Sequence, residues 1–164
     1  MWTYKKVIEE NKNEKMFRFW DRLRLLRLNS DSAKKIERMD KLKWKMWMKV
    51  HDVYDGDTIN VLCLHNGHFV KWRCRMKGYD SPEMKSKNEE EKKAAIAARD
   101  FLKTLLPKGI FLAKCEGLDK YGRILLDLHY KGLPIKEIMI LNQHGLEYDG
   151  GTKKAWKSIH QAVQ

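Results

Sequence analysis

The chain has 164 residues, of which 43% are hydrophobic and 34% charged. That length suits one domain, or one domain with an arm, and the balance excludes a collagen-like or simply disordered chain. The net charge of +12 points to a polyanionic partner, nucleic acid first and an acidic membrane surface second.

The charge is uneven along the chain. Residues 1–46 hold 14 Lys and Arg against 7 Asp and Glu, and the remaining 118 hold 20 against 15. This divides a basic extension, 1–45, from a domain, 46–164. The opening Met1-Trp2-Thr3-Tyr4-Lys5-Lys6 runs through Val7-Ile8 into Glu9-Glu10 and shows no signal-peptide core. No apolar run approaches the ~18 residues of a membrane span. The expectation is an intracellular chain starting at or near Met1, with non-classical export or packaging left open.

In the extension, Met16, Phe19, Trp20, Leu23 and Leu26 recur at helical steps between arginines, which predicts a basic amphipathic helix. Asn29-Ser30-Asp31-Ser32 breaks that pattern and offers an N-cap for a second helix, Ala33 to Leu42. Such an arm serves either packing or binding to nucleic acid, a membrane surface or a partner groove, and packing is the commoner use.

From residue 44 the period becomes two. Trp44, Met46, Met48 and Val50 alternate with polar or outward positions, which predicts a half-buried strand. Asp55-Gly56 marks a turn. Thr58 to Leu64 is β-rich, and Asn66-Gly67 signals a hairpin into a strand where Val70, Trp72, Cys74 and Met76 oppose Lys71, Arg73, Arg75 and Lys77. Lys87 to Leu106 predicts a helix with Ala94, Ala98, Phe101, Leu102 and Leu105 on one face, stopped by Pro107-Lys108-Gly109. Ile110 to Cys115 and Arg123 to Tyr130 read as strands, and Ile135 to Asn142 and Thr152 to Val163 as short helices. The expected fold is α+β with a mainly β core: a five-stranded, OB-like Greek-key barrel with helices packed outside it, plus the helical arm. Cys63, Cys74 and Cys115 each sit in an apolar run and form no CxxC, so they read as small buried hydrophobes.

Three clusters carry chemistry. Asp55-Gly56-Asp57-Thr58 opens a strand, Arg75 precedes Asp80-Ser81-Pro82-Glu83, and Asp119-Lys120-Tyr121-Gly122-Arg123 forms a polar turn. Taken singly, the first is a plain turn, the second a helix N-terminus and the arginines surface residues. Taken together they supply what phosphodiester chemistry needs. Asp57, Asp80 and Glu83 offer the oxygen ligands hard cations take, arginine forks match phosphate oxygens, and a carboxylate can activate water. The histidines form no zinc-binding array.

These clusters, in order and spacing, resemble the staphylococcal (micrococcal) nuclease, or thermonuclease-like, family. Asp55-Gly56-Asp57-Thr58 is similar to its strand-turn signature. Arg75 with Asp80-Ser81-Pro82-Glu83 is similar to its Arg-x4-Asp-[Thr/Ser]-Pro-Glu motif, and Asp119 to Arg123 to its Asp-x-Tyr-Gly-Arg motif. Leu141 to Leu146 resembles its short helix and Gly-Leu end, so the likeness covers about residues 46–160.

The resemblance implies a calcium-dependent nuclease that cuts DNA and RNA with little sequence preference and leaves 3′-phosphates. Asp57 and Asp80 would hold the cation, with Ser81 contributing its backbone carbonyl. Glu83 would be the general base, and Arg75 and Arg123 would bind the scissile phosphate. Lys120 and Tyr121 match the pocket for a terminal phosphate, and Tyr148 stands in part for the family's downstream aromatic pair. The arm has no counterpart there. A monomer is expected, with DNA or RNA as partner. The competing expectation is a catalytically inactive OB-type module that binds single-stranded nucleic acid.

Overall fold

The structure is a computed structural model and describes residues 20–151. Met16, Phe19 and the helix expected over Thr152 to Val163 lie outside the described residues. The chain divides into two compact units between Glu37 and Arg38, upstream of the composition boundary at 45/46. In the first unit residues 20–26 are helical, and a second helix, α1, spans Ser30–Lys34.

The helix expected over Ala33 to Leu42 is therefore shorter and starts earlier. Asn29 sets its start: the Asn29 side chain accepts the Ser32 N–H at 2.8 Å, and the Ser32 hydroxyl accepts the Asn29 N–H at 2.9 Å. Downstream, Ile36 and Met39 are exposed, so no tertiary burial supports further turns, and short helices are marginal without it.

The second unit is mixed α and β around a closed five-stranded barrel. Its strands are β1 (Trp44–Val53), β2 (Thr58–His65), β3 (His68–Met76), β5 (Ile110–Leu118) and β6 (Ile124–Asp127), in the order β1-β2-β3-β6-β5. Between β3 and β5 lies a two-residue strand, β4 (Tyr79–Asp80). Consecutive strands β1, β2 and β3 pair antiparallel, as do β5 and β6. Closure comes from β1 against β5 and from the parallel pair β3 and β6, which is consistent with an OB-like barrel. The span expected as one strand from Arg123 to Tyr130 is two: β6 ends at Asp127, and β7 (His129–Tyr130) turns back through Lys131-Gly132 to pair with β8 (Leu133–Pro134). Both turn residues have positive φ.

Alternation puts Met48, Ile59, Val61, Met76, Ile124 and Leu126 inside the barrel. The three cysteines are there too, free and buried. Burial pushes the Cys74 thiol up to about 12 and the Cys115 thiol up to about 11, as expected of inert core thiols.

Helix α2 (Glu89–Leu105) starts where the Asn88 side chain accepts the Glu90 N–H, an N-cap reinforced by three glutamates at the positive end of the dipole. Its buried face is Ala95, Ala98, Leu102 and Leu105. Ala95 replaces the expected Ala94, which is half-buried; the stripe drifts because 3.6 residues make a turn. Leu102, fully buried, contributes about 1.5–3 kcal/mol through removal from water. A shorter helix, α3 (Ile135–Leu141), adds Ile135 and Met139 to the core. Last, β9 (Leu146–Glu147) pairs with β4.

Two glycines let segments approach closely. A Cβ on Gly56 would stand 2.7 Å from that of Ser81 and 2.8 Å from that of Ala98, so the Asp55-Gly56-Asp57 turn packs against both the Ser81 segment and α2. Gly117, at φ +97, lies at the β5 irregularity, where Leu118 donates its N–H to the Asp40 carbonyl.

Candidate functional site

Strand register brings the first two clusters together. Thr58 opens β2 directly opposite Arg75 near the end of β3, so the Asp55-Gly56-Asp57 turn lies beside that arginine. The chain then turns at Gly78 into β4, which carries Asp80 back. Arg75 Nη1 lies 2.6 Å from Asp57 Oδ1, and Arg75 Nη2 lies 2.7 Å from Asp80 Oδ1 and 3.0 Å from the Tyr79 carbonyl. One buried guanidinium thus holds carboxylates from two separate segments. Burial works against the arginine's charge, but Asp57 and Asp80 outweigh it and hold the group above its ordinary range.

Asp57 is held on every side. Its Oδ1 accepts the Thr58 hydroxyl at 2.8 Å, its Oδ2 accepts the Ser81 N–H at 3.0 Å, and its own N–H goes to Asp55 Oδ1 at 3.0 Å. Beneath it the fully buried Tyr79 donates its hydroxyl to the Gly56 carbonyl at 2.7 Å. Burial, then the charge of Asp57, keeps that phenol far above its usual range and therefore neutral. Asp55 carries the cost of the crowding: burial, then the charge of Asp57, pushes its carboxyl up to about 6.

The third cluster is built by one carboxylate. Asp119 Oδ1 accepts the N–H groups of Tyr121 and Arg123, both at 2.9 Å, and Asp119 Oδ2 takes Arg123 Nε at 2.6 Å. Aspartate favours such a turn because it can bond its own backbone two residues on. Burial opposes the Asp119 charge, but the N–H groups and the guanidinium more than compensate and hold the carboxyl below its ordinary range. The outer end of Arg123 reaches Thr58, with Nη1 at 3.4 Å from the hydroxyl. Thr58 therefore stands between the Asp57 and Arg123 systems.

An open cleft of about 1550 Å³ is lined by Asp55, Asp57, Arg75, Ser81, Glu83 and Arg123. Lys120, Tyr121 and Tyr148 line it as well. Tyr121 is exposed, with Arg123 5.5 Å and Lys120 5.1 Å from its ring centre. Tyr148 lies with its ring centre 5.4 Å from the Arg75 guanidinium. Glu83 is exposed on the wall, where its N–H is accepted by Glu91 Oε1 of α2 at 3.3 Å.

Eight of the nine residues expected at the site, all but Asp80, line this cleft; Asp80 meets it through Arg75. Among the described residues no group of three Asp, Glu, His or Cys side chains is placed to hold an ion. Asp57 and Asp80, the expected ligands, are brought together on Arg75, and their oxygens are of the kind hard cations take.

Asp55, Thr58, Tyr79 and Asp119 are the partners that sequence reasoning left without roles. Asp119 had a readable signal, an Asp-x-x-Gly turn leading into an arginine. Tyr79 had none, because its partner Gly56 is 23 residues away. No protein-family model matches the chain, and no curated protein matches it.

Proposed function

We propose that the chain is a metal-dependent nuclease, hydrolysing phosphodiesters of DNA or RNA in this cleft. The observation that supports this reading is that two guanidinia, Arg75 and Arg123, line one open cleft with Asp57 from one segment and Ser81 and Glu83 from another. The motif resemblance to the staphylococcal nuclease family points the same way. Asp57, Asp80 and the Ser81 carbonyl would hold the cation, with Ca²⁺ as the first candidate. A cation bound there supplies Lewis-acid charge stabilisation to the phosphoryl group.

The chain's own residues do the rest. Glu83, exposed on the cleft, takes the proton of the attacking water. The guanidinia of Arg75 and Arg123 meet the charge that grows on the phosphoryl oxygens in the transition state. Asp119 fixes the angle of the Arg123 fork before substrate arrives, so that ordering cost falls on folding. Arg75 is already engaged by Asp57 and Asp80, so a phosphate approaching it competes with them for its donors. Lys120 and Tyr121, beside Arg123 on the cleft, would contact a terminal phosphate.

The test is cleavage of labelled single-stranded and duplex oligonucleotides with Ca²⁺, with other hard divalent ions, and with chelator. The reading predicts cation-dependent cleavage with 3′-phosphate ends. Tight binding with no cleavage under any cation would overturn it in favour of a binding module.

A further inference from the structure

The outer face of the β2–β3 hairpin leads away from the cleft. From Arg75, outward positions on β3 recur at two-residue steps as Arg73, Lys71 and Phe69, about 6.6 Å apart. Arg73 is exposed and lies over the Tyr54 ring at 4.8 Å. Lys71 is exposed and approaches His51 Nε2 at 2.9 Å. The track ends, about 20 Å from Arg75, on an exposed apolar row. Register sets Phe69 opposite Leu64, and Trp47 opposite Leu112. Met48 faces Cys63 inside the barrel, which brings Trp47 level with Leu64 on the outside. Phe69, Leu64, Trp47 and Leu112 therefore cross four strands as one band, with Phe69 90% and Trp47 63% exposed. Lys49 flanks the band, opposite Leu62. Asp52, an acidic group bonded to Asn60, lies beside the track.

Such a band on a monomer marks an interaction surface. Its basic flank selects the occupant. A second copy would set these lysines against themselves, and the chain's own extension is also strongly basic. The complementary partner is anionic and carries flat apolar faces. Single-stranded nucleic acid has both, phosphates for Arg73 and Lys71 and unpaired bases for Trp47 and Phe69; in a duplex those faces are hidden.

We propose that this face binds the extension of a single strand whose reacting phosphate lies in the cleft, with bases stacked on Trp47 and Phe69 and phosphates over Arg73 and Lys71. The proposal takes its starting point from the phosphodiester reading of the cleft, but it is read by binding alone. The experiment measures fluorescence anisotropy of labelled oligothymidylates, a trinucleotide and a 16-mer, in chelator so that no turnover occurs. Both aromatic side chains are largely exposed, so W47A/F69A is expected to fold, with circular dichroism as the check.

That variant should weaken 16-mer binding roughly tenfold or more, the scale of base–aromatic stacking, and erase most of the affinity gap between 16-mer and trinucleotide. K71A should lower the slope of log K against log salt by about one, for one lost phosphate contact. Unchanged 16-mer affinity in W47A/F69A overturns the proposal. So does a loss, in that variant, of sedimentation with phosphatidylserine vesicles while oligonucleotide binding persists, which assigns the band to a membrane. Patch-dependent 16-mer binding by a wild-type chain that cleaves nothing defeats the nuclease reading and leaves this one standing. Cleavage with patch-independent binding does the reverse.

Discussion

The barrel holds two ion networks of opposite balance. At the cleft one buried guanidinium, Arg75, is shared by Asp57 and Asp80, with Asp55 close by. On β5 one buried carboxylate, Glu116, is shared by Lys43 at 3.4 Å, Lys77 at 3.2 Å and Lys114 at 2.7 Å. The consequences run in opposite directions. Lys114, with Lys77, pulls the Glu116 carboxyl down to about 2, while crowding lifts Asp55 to about 6. Exposed lysine stems bring charge to Glu116 and keep their own heads in water, so that network is compensated and serves the fold. Around Arg75, the carboxylates of Asp57 and Asp80, with Asp55 beside them, share one guanidinium. Crowding of carboxylates around Arg75 is what the proposed cation would relieve, and perturbed groups of this kind cluster at functional sites.

Breaking the reactive side should give the largest effects. Glu83→Gln keeps size and removes the proposed base, so turnover should fall ~10²–10⁴-fold with the fold retained. Single-turnover cleavage beside a thermal melt checks both. Arg75→Lys and Arg123→Lys keep charge and lose the fork. Each should cost ~10²–10³ in rate, the scale of removing a preorganised transition-state donor. Affinity for uncleaved substrate in chelator should fall much less, and equal losses in affinity and rate would contradict a transition-state role.

The stability side should give smaller effects of opposite sign. Glu116→Gln should lower the melting temperature by several degrees at neutral pH, because three lysines lose their shared charge. The Glu116 carboxyl is depressed in the fold, so its contribution is full above its ordinary value near 4.5 and disappears as pH falls to about 2. Melts of both proteins across that range should converge at the acid end. Asp55→Asn keeps the acceptor for the Asp57 N–H and removes a disfavoured charge, so it should raise the melting temperature by a few degrees at pH 7. Asp55 is raised in the fold, so the variant's advantage is absent below about 4, grows as pH rises through about 6, and is constant beyond. A gain that persists at pH 3 would place its origin elsewhere.

Much of this architecture was legible because it is local. Alternation marked Arg75 as the outward residue of β3, and the Asn66-Gly67 hairpin is a two-residue turn with both φ angles positive. Pairings that join distant segments were not legible: the parallel β3–β6 closure, the β4–β9 pair and the Tyr79 bond to Gly56 each depend on tertiary approach. The same limit hid the double engagement of Arg75. The sequence places Arg75 five residues before Asp80, but Asp57 reaches it only across the β2–β3 ladder. Residues 35–42 misled for the opposite reason. Their apolar side chains Ile36, Met39 and Leu42 stay exposed, so the pattern alone does not hold a helix there.

The most direct test of the contrast is a thermal melt of the wild-type chain across a Ca²⁺ titration, beside Asp57→Asn and Glu116→Gln. An ion that binds the folded state raises the melting temperature with concentration by mass action. The account predicts that rise in the wild type, the same rise in Glu116→Gln from a lower baseline, and its loss or a large shift to higher Ca²⁺ in Asp57→Asn. A melting temperature indifferent to Ca²⁺, or an equal response in Asp57→Asn, would contradict the claim that the crowded carboxylates of the cleft are a cation site.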